Sequence, residues 1–306
     1  MIAEYTRPIE GDIRTLDKFA TANADALREL RDDMVTASSL STLVAQAYAA
    51  IAPRTLTVEP AGKPPVPLGL VHFKTESIIK ALASGVNVYL HGPAGSGKTT
   101  SAQQAAQAFG VPFYFAAKVE SEYLLLGFVD ATGNATRTPF REAYENGGVF
   151  LFDEMDASSS GAIVALNAAL ANGVCPFPDK LVTRHADFKC IGAGNTVLTG
   201  ANRQYTGRTQ LDAASVDRFA FIEFPYDEKL ETALATNAAW AMHVQAIRKA
   251  VSDRGLPHLV SPRATYDGCK LLEAGFTWEE VETMSIFKGL DTDTANQLRR
   301  AAPGIL

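Results

Sequence analysis

The sequence has little that would take it out of a cell or into a membrane. Among 306 residues there are three cysteines, Cys175, Cys190 and Cys269. They are odd in number, far apart and match no metal spacing. This argues against a disulfide framework or a zinc cluster and fits free thiols in a reducing compartment. No run of about 18 apolar residues occurs, and the opening MIAEYTRPIEGD lacks the apolar centre of a secretion signal. The expectation is a cytoplasmic chain without membrane contact. Positive charge is not in excess: 28 Lys and Arg against 34 Asp and Glu give a net charge of −6. That balance gives no support to nucleic acid or anionic lipid as a partner. The five histidines show no ligand spacing, so no metal centre of protein ligands alone is implied. No internal repeat or low-complexity tract stands out.

What is present is an ordinary apolar share of 47%, enough for a core in one large α/β domain and a smaller one. Its organising stretch is NVYLHGPAGSGKTT, residues 87–100. A short apolar strand runs into Gly92-Pro93-Ala94-Gly95-Ser96-Gly97-Lys98-Thr99-Thr100, which fits G-x-x-x-x-G-K-[ST], a phosphate-binding loop. Gly92, Gly95 and Gly97 let the backbone curl with its amides inward. Those amides and the following helix N-terminus attract phosphate. Lys98 adds a point charge for the β- and γ-phosphates, and the Thr99 hydroxyl can ligate Mg²⁺.

Along the chain, residues 12–33 and 37–51 read as two amphipathic helices. Residues 54–59 and 66–73 read as a hairpin split by the proline-rich stretch 60–65. This places an N-terminal helical and hairpin extension at 1–65, a nucleotide-binding core at 66–225 and a helical lid at 226–306. Strands and helices alternate through the core, the pattern of a parallel sheet covered on both faces. Two hairpins interrupt it, one at 127–140 inside a helix and one around Pro178-Asp179-Lys180. Lys118, Arg137, Lys180, Arg184 and His185 lie near them and could touch a substrate or be solvated surface charges. From Asp227 the pattern is helical, with one long helix over 227–254, a second from Ser261-Pro262 and a capping box at Thr277-Trp278-Glu279-Glu280.

VFLFDE, residues 149–154, is a buried strand ending in two carboxylates. Asp153 stands where it can hold Mg²⁺ through water, and Glu154 where it can polarise an attacking water. Asn195 ends the strand over 189–194 on the same sheet edge and could hold that water or the γ-phosphate.

The phosphate loop, Asp153-Glu154, Asn195, Asp217-Arg218-Phe219 and Ser261-Pro262-Arg263-Ala264, in this order, resemble an AAA+ ATPase. The hairpin within a helix, the SPRA string and the DRF string are similar to its MoxR-like and CobS-like branch. That branch is dynein-related, carries an insert in its second helix, includes the AAA subunit of cobaltochelatase and has relatives carried by phages. The resemblance spans roughly residues 70–274 and does not reach the first 50. It implies a P-loop NTPase core with a five-stranded parallel sheet and a helical lid, hydrolysing ATP with Mg²⁺. Asn195 would be sensor 1 and Arg263 sensor 2. Arg218 would be an arginine finger reaching the next subunit's site, with Arg208 a second candidate for that role. The family implies a homo-oligomeric ring, a hexamer, with the hairpins on its axis or rim. The branch implies remodelling of a partner carrying a von Willebrand A domain. The alternative is a DNA-associated motor of phage replication, packaging or restriction. A small-molecule kinase or GTPase is disfavoured by the separate lid and by the absence of an Asn-Lys-x-Asp string.

Overall fold

Alternation of side chains along three neighbouring strands builds the molecule's centre. Val88, Leu90, Val149, Leu151, Ile191 and Ala193 face one side of the sheet, and Tyr89, Phe150, Phe152 and Cys190 face the other. Period-two alternation buried on both faces requires helices on both. The computed structural model describes residues 52–59, 64–201 and 204–301, together with Thr21. The chain divides into two compact units, Met1–Ala52 and Pro53–Leu306. The helices expected over 12–33 and 37–51 lie, Thr21 apart, outside the described residues.

In the second unit, β1 (Thr55–Val58) and β2 (Val66–Leu70) pair antiparallel. Then come α1 (Thr75–Ala83), β3 (Val88–His91), α2 (Lys98–Phe109) and β4 (Phe113–Ala117). They are followed by α3 (Glu122–Leu126), α4 (Pro139–Asn146), β5 (Gly148–Asp153) and α5 (Ser160–Asn172). The core ends with the β6 (Val174–Pro176) and β7 (Leu181–Thr183) hairpin, β8 (Phe188–Gly194), α6 (Ala213–Val216) and β9 (Ala220–Glu223). The five-stranded sheet is all parallel, in the order β4-β5-β8-β3-β9. The expected α/β core is therefore observed. All five strands end on one edge, where β3 runs into the phosphate loop.

The β1–β2 hairpin does not stand apart. Leu56, Val58 and Val66 pack against the core cluster that contains α1 and α2. The sequence boundary at residue 65 thus cuts through one packed unit, because apolar side chains on both hairpin strands need the core to cover them.

The hairpin expected over 127–140 is present in short form between α3 and α4. Val129 bridges antiparallel to Ala135, with Asp130 N donating to Asn134 O and Thr136 N to Phe128 O, each at 2.8 Å. In its turn the Asp130 carboxylate accepts from the Thr132 and Asn134 amides at 2.8 and 2.9 Å. One further expectation is corrected. The long helix over 227–254 is two, α7 (Glu228–Leu234) and α8 (Ala238–Asp253). Asn237 caps α8 by accepting from Trp240 N at 3.0 Å, which ends helical pairing from the preceding turn.

The lid continues with α9 (Pro262–Glu273), α10 (Trp278–Val281), whose capping box is formed as expected, a π-helical segment Glu282–Ile286 and α11 (Thr292–Ala301). Its own apolar cluster centres on Trp240, Ile247, Val281 and Leu298. Glu231 of α7 is buried and accepts from Arg248 of α8 through two bonds, 2.8 and 2.7 Å, and from Thr265 of α9. Replacing Arg248 with Met strands this carboxylate. We expect a loss of about 3 kcal/mol of stability, read as a lower midpoint in urea; an unchanged midpoint would show the pair to be dispensable.

Candidate active site

The phosphate loop closes on itself around one ammonium group. Lys98 Nζ donates to the carbonyls of Gly92 at 2.8 Å and Pro93 at 3.1 Å, and to Asn195 Oδ1 at 3.1 Å. Gly95 and Gly97 take φ of 79° and 97°, a region that side chains disfavour. Lys98 is buried, and burial pulls its pKa down to about 8, against the favourable field of Asp153 and Asp156.

Beside the loop, Thr99 Oγ1 donates to Asp153 Oδ2 at 3.0 Å. Glu154 N donates to Asp153 Oδ1 at 2.9 Å. Glu154 has a left-handed backbone, φ 48°, and no described residue donates to its carboxylate. Asn195 reaches Lys98 from the end of β8. Arg263, at the start of α9, faces the same cleft with Tyr266, and Gly95 packs under Ser261 and Arg263. The cleft has a volume of about 370 Å³ and brings together Ala94 to Thr100, Asp153, Glu154, Asn195 and Arg263. Thus the loop, both carboxylates, Asn195 and Arg263 converge as expected.

The other two arginines do not. Arg208 is mostly buried and donates to Asp156 Oδ1 at 3.1 Å within its own chain. Arg218 is exposed, and its carbonyl accepts from Asn87 Nδ2 at 3.3 Å, just before β3 begins. It therefore sits at the edge of the sheet opposite the phosphate loop. The charges near the hairpins are largely spoken for. Lys118 pairs with Glu120, Arg137 with Glu142 and Glu145, and Lys180 with Glu145, while Arg184 donates to the Leu170 carbonyl.

Several residues were not legible in the sequence. Tyr205 and Tyr226 grip Ala94 from both sides: Ala94 N donates to the Tyr205 hydroxyl and the Tyr226 hydroxyl donates to Ala94 O, each at 3.0 Å. A narrow cleft of about 140 Å³ lies between core and lid, lined by Leu70, His72, Gln104, Leu230 and Tyr266 among others. His72 is held with both ring nitrogens occupied, Nε2 on Pro225 O at 2.9 Å and Nδ1 accepting from Lys74 N at 3.1 Å. Burial lowers its pKa and favours the neutral ring. A larger groove of about 780 Å³ runs along the end of α8, but it contains only Pro93 of the phosphate loop. Chemistry, not volume, selects the site.

Residues 88–222 match the family model described as ATPase family associated with various cellular activities (AAA). The chain carries an AAA ATPase domain. The match begins at β3 and ends in β9, so it covers the sheet and every catalytic candidate except Arg263. Over 176 residues the chain is 29% identical to YojN of Bacillus subtilis (strain 168), an uncharacterised protein, covering 53% of this chain and 55% of that one. The chain thus spans about half the length of the curated relative it matches. Among solved structures, the RuvB Holliday junction branch migration motor of Thermotoga maritima is 16% identical with a TM-score of 0.40, covering 74% of this chain and 66% of that one. NtrX from Brucella abortus in complex with ATP is 14% identical with a TM-score of 0.44, covering 89% and 63%.

AAA ATPases bind ATP with Mg²⁺, and the residues of this AAA domain fit both. Ser96 Oγ of the loop is buried with no partner among the described residues, an orphan that a phosphate oxygen would satisfy. Thr99 and Asp153 offer the hard oxygen donors that Mg²⁺ prefers and would hold it. Lys98, released from its carbonyl contacts, would meet phosphate oxygens. Among the described residues, no helix is long and apolar enough to cross a membrane.

Proposed function

We propose that this AAA ATPase works as a ring in which Arg218 of each subunit completes the next subunit's site. The carrying observation is the position of Arg218. It lies at the far edge of the sheet, a strand of four residues away from its own loop. That is about 13 Å along β3, so its own γ-phosphate is out of reach. Arg208 is committed to Asp156, which leaves Arg218 as the finger. A contact that always points to the next copy closes into a ring when the rotation closes, and a hexamer is the form the resemblance supports.

In this reading Lys98 and the loop amides bind the phosphates, Glu154 polarises water, Asn195 orients it and Arg263 senses the γ-phosphate from the lid. The base lies in the cleft between Leu70, His72 and Tyr266. Rotation of lid against core does work on a partner protein, and a von Willebrand A domain is the partner the resemblance favours.

Arg218→Ala is expected to bind ATP normally and to lose about a thousandfold in assembled turnover. Mixing it with Lys98→Ala subunits should restore some composite sites and some hydrolysis. Turnover by Arg218→Ala at the wild-type rate, independent of protein concentration, would count decisively against the ring.

A further inference from the structure

Two residues after Glu154, the chain buries a carboxylate that none of the assigned roles uses. Asp156 is fully buried in the short turn Met155–Ala157. Its Oδ2 accepts from Asn195 N at 2.9 Å, Thr196 N at 3.0 Å and Thr196 Oγ1 at 2.9 Å. Its Oδ1 accepts from Arg208 Nη1 at 3.1 Å, and its backbone carbonyl accepts from Thr209 N at 2.7 Å. One residue therefore joins the turn that carries Glu154, the strand end that carries Asn195 and the loop that carries Tyr205 and Arg208.

The fit around it is close. A Cβ on Gly194 would come within 2.8 Å of Asp156 Cγ and 2.0 Å of the Tyr89 hydroxyl. Tyr89 in turn donates to Thr196 O at 2.9 Å. Every side-chain partner of Asp156 is a donor. A carboxylate only accepts, so it satisfies them all. An asparagine would aim an NH₂ at a donor, and a glutamate would need room that Gly194 has already given up.

We propose that Asp156 is a positioning residue of the ATPase, holding Asn195 in register with Lys98 and Glu154 and drawing the Tyr205–Arg208 loop onto Ala94. This rests on the assignment of Asn195 to the hydrolytic step. The route is short: Asp156 fixes the Asn195 amide, the Asn195 carboxamide oxygen accepts from Lys98 at 3.1 Å, and Tyr205 meets Ala94 N at 3.0 Å. Arg208 is thereby a tether within its own chain.

The test compares Asp156→Asn, the milder Thr196→Val, Asn195→Ala and the doubles of each with Asn195→Ala, all in the whole 306-residue chain. ATP turnover, the Kd of a non-hydrolysable ATP analogue and the thermal midpoint are measured. A misplacement of catalytic geometry by about 1 Å costs on the order of a hundredfold in rate. Asp156→Asn is expected to lose about that in kcat with Kd within about threefold of wild type. Thr196→Val should show a smaller loss of the same kind, and it serves if Asp156→Asn does not fold. Each double should be no slower than Asn195→Ala alone. The proposal is overturned alone if the losses multiply, if both variants keep the wild-type kcat, or if only the thermal midpoint falls while turnover per bound nucleotide holds. A normal rate in Asn195→Ala overturns the sensor assignment and the proposal together, and a wild-type protein that does not hydrolyse ATP overturns the reading beneath both.

Discussion

Replacing Glu154 with glutamine is expected to slow ATP hydrolysis about a thousandfold while leaving one ATP held per subunit. Glutamine keeps the size and the hydrogen-bonding reach of the side chain and removes its ability to take a proton. The structure says why the change should be confined to chemistry. The Glu154 carboxylate has no donor among the described residues, so no bond within the fold is lost. Asp153, the neighbour that would hold Mg²⁺, keeps both its contacts, to Thr99 Oγ1 and to the Glu154 amide. The thermal midpoint should therefore stay within a few degrees of wild type. Single-turnover hydrolysis beside a binding isotherm separates the two effects. A variant that hydrolyses at the normal rate would remove Glu154 from the mechanism.

Lys98→Ala is expected to weaken ATP binding about a hundredfold, from the loss of charge-assisted bonds to phosphate. Its effect on the empty protein should be small, and the reason is specific to this site. Burial disfavours the charged ammonium and lowers its pKa from 10.5 to about 8, so holding it charged costs roughly 3 kcal/mol. Removing it relieves that cost and strands two carbonyls and the Asn195 amide oxygen, so the terms oppose each other. Thermal melts check this directly. Adding ATP and Mg²⁺ should raise the midpoint of the wild type well above any rise seen in the variant. A variant stabilised by ATP as strongly as the wild type would contradict the assignment.

Much of the core was legible because its signals are local. Strands such as VFLFD are continuous apolar runs, and each motif residue sits at a strand end or a helix start whose position the run itself announces. The capping box at Thr277 and Glu280 formed for the same reason. What could not be read is non-local. Arg208 stood as a second candidate for the finger because its partner, Asp156, lies 52 positions earlier in the chain. The cleft of Leu70, His72, Leu230 and Tyr266 is assembled from separate elements, none carrying a pattern of its own. The break between α7 and α8 turned on Asn237, one cap residue that a periodic apolar pattern runs straight over.

Among the described residues, three that are not glycine take a left-handed backbone: Lys118 after β4, Glu154 after β5 and Leu198 just past β8. All three follow the ends of adjacent strands, on the edge where ATP is handled. Such conformations cost of order 1–3 kcal/mol each. A lineage selected only to resist heat would drift toward glycine or asparagine at these positions and relax the backbone. At Glu154 that drift would abolish the proposed base outright. Thermal hardiness and turnover therefore pull against each other at Glu154, and durable variants are better sought in the lid's own apolar cluster, away from Arg263.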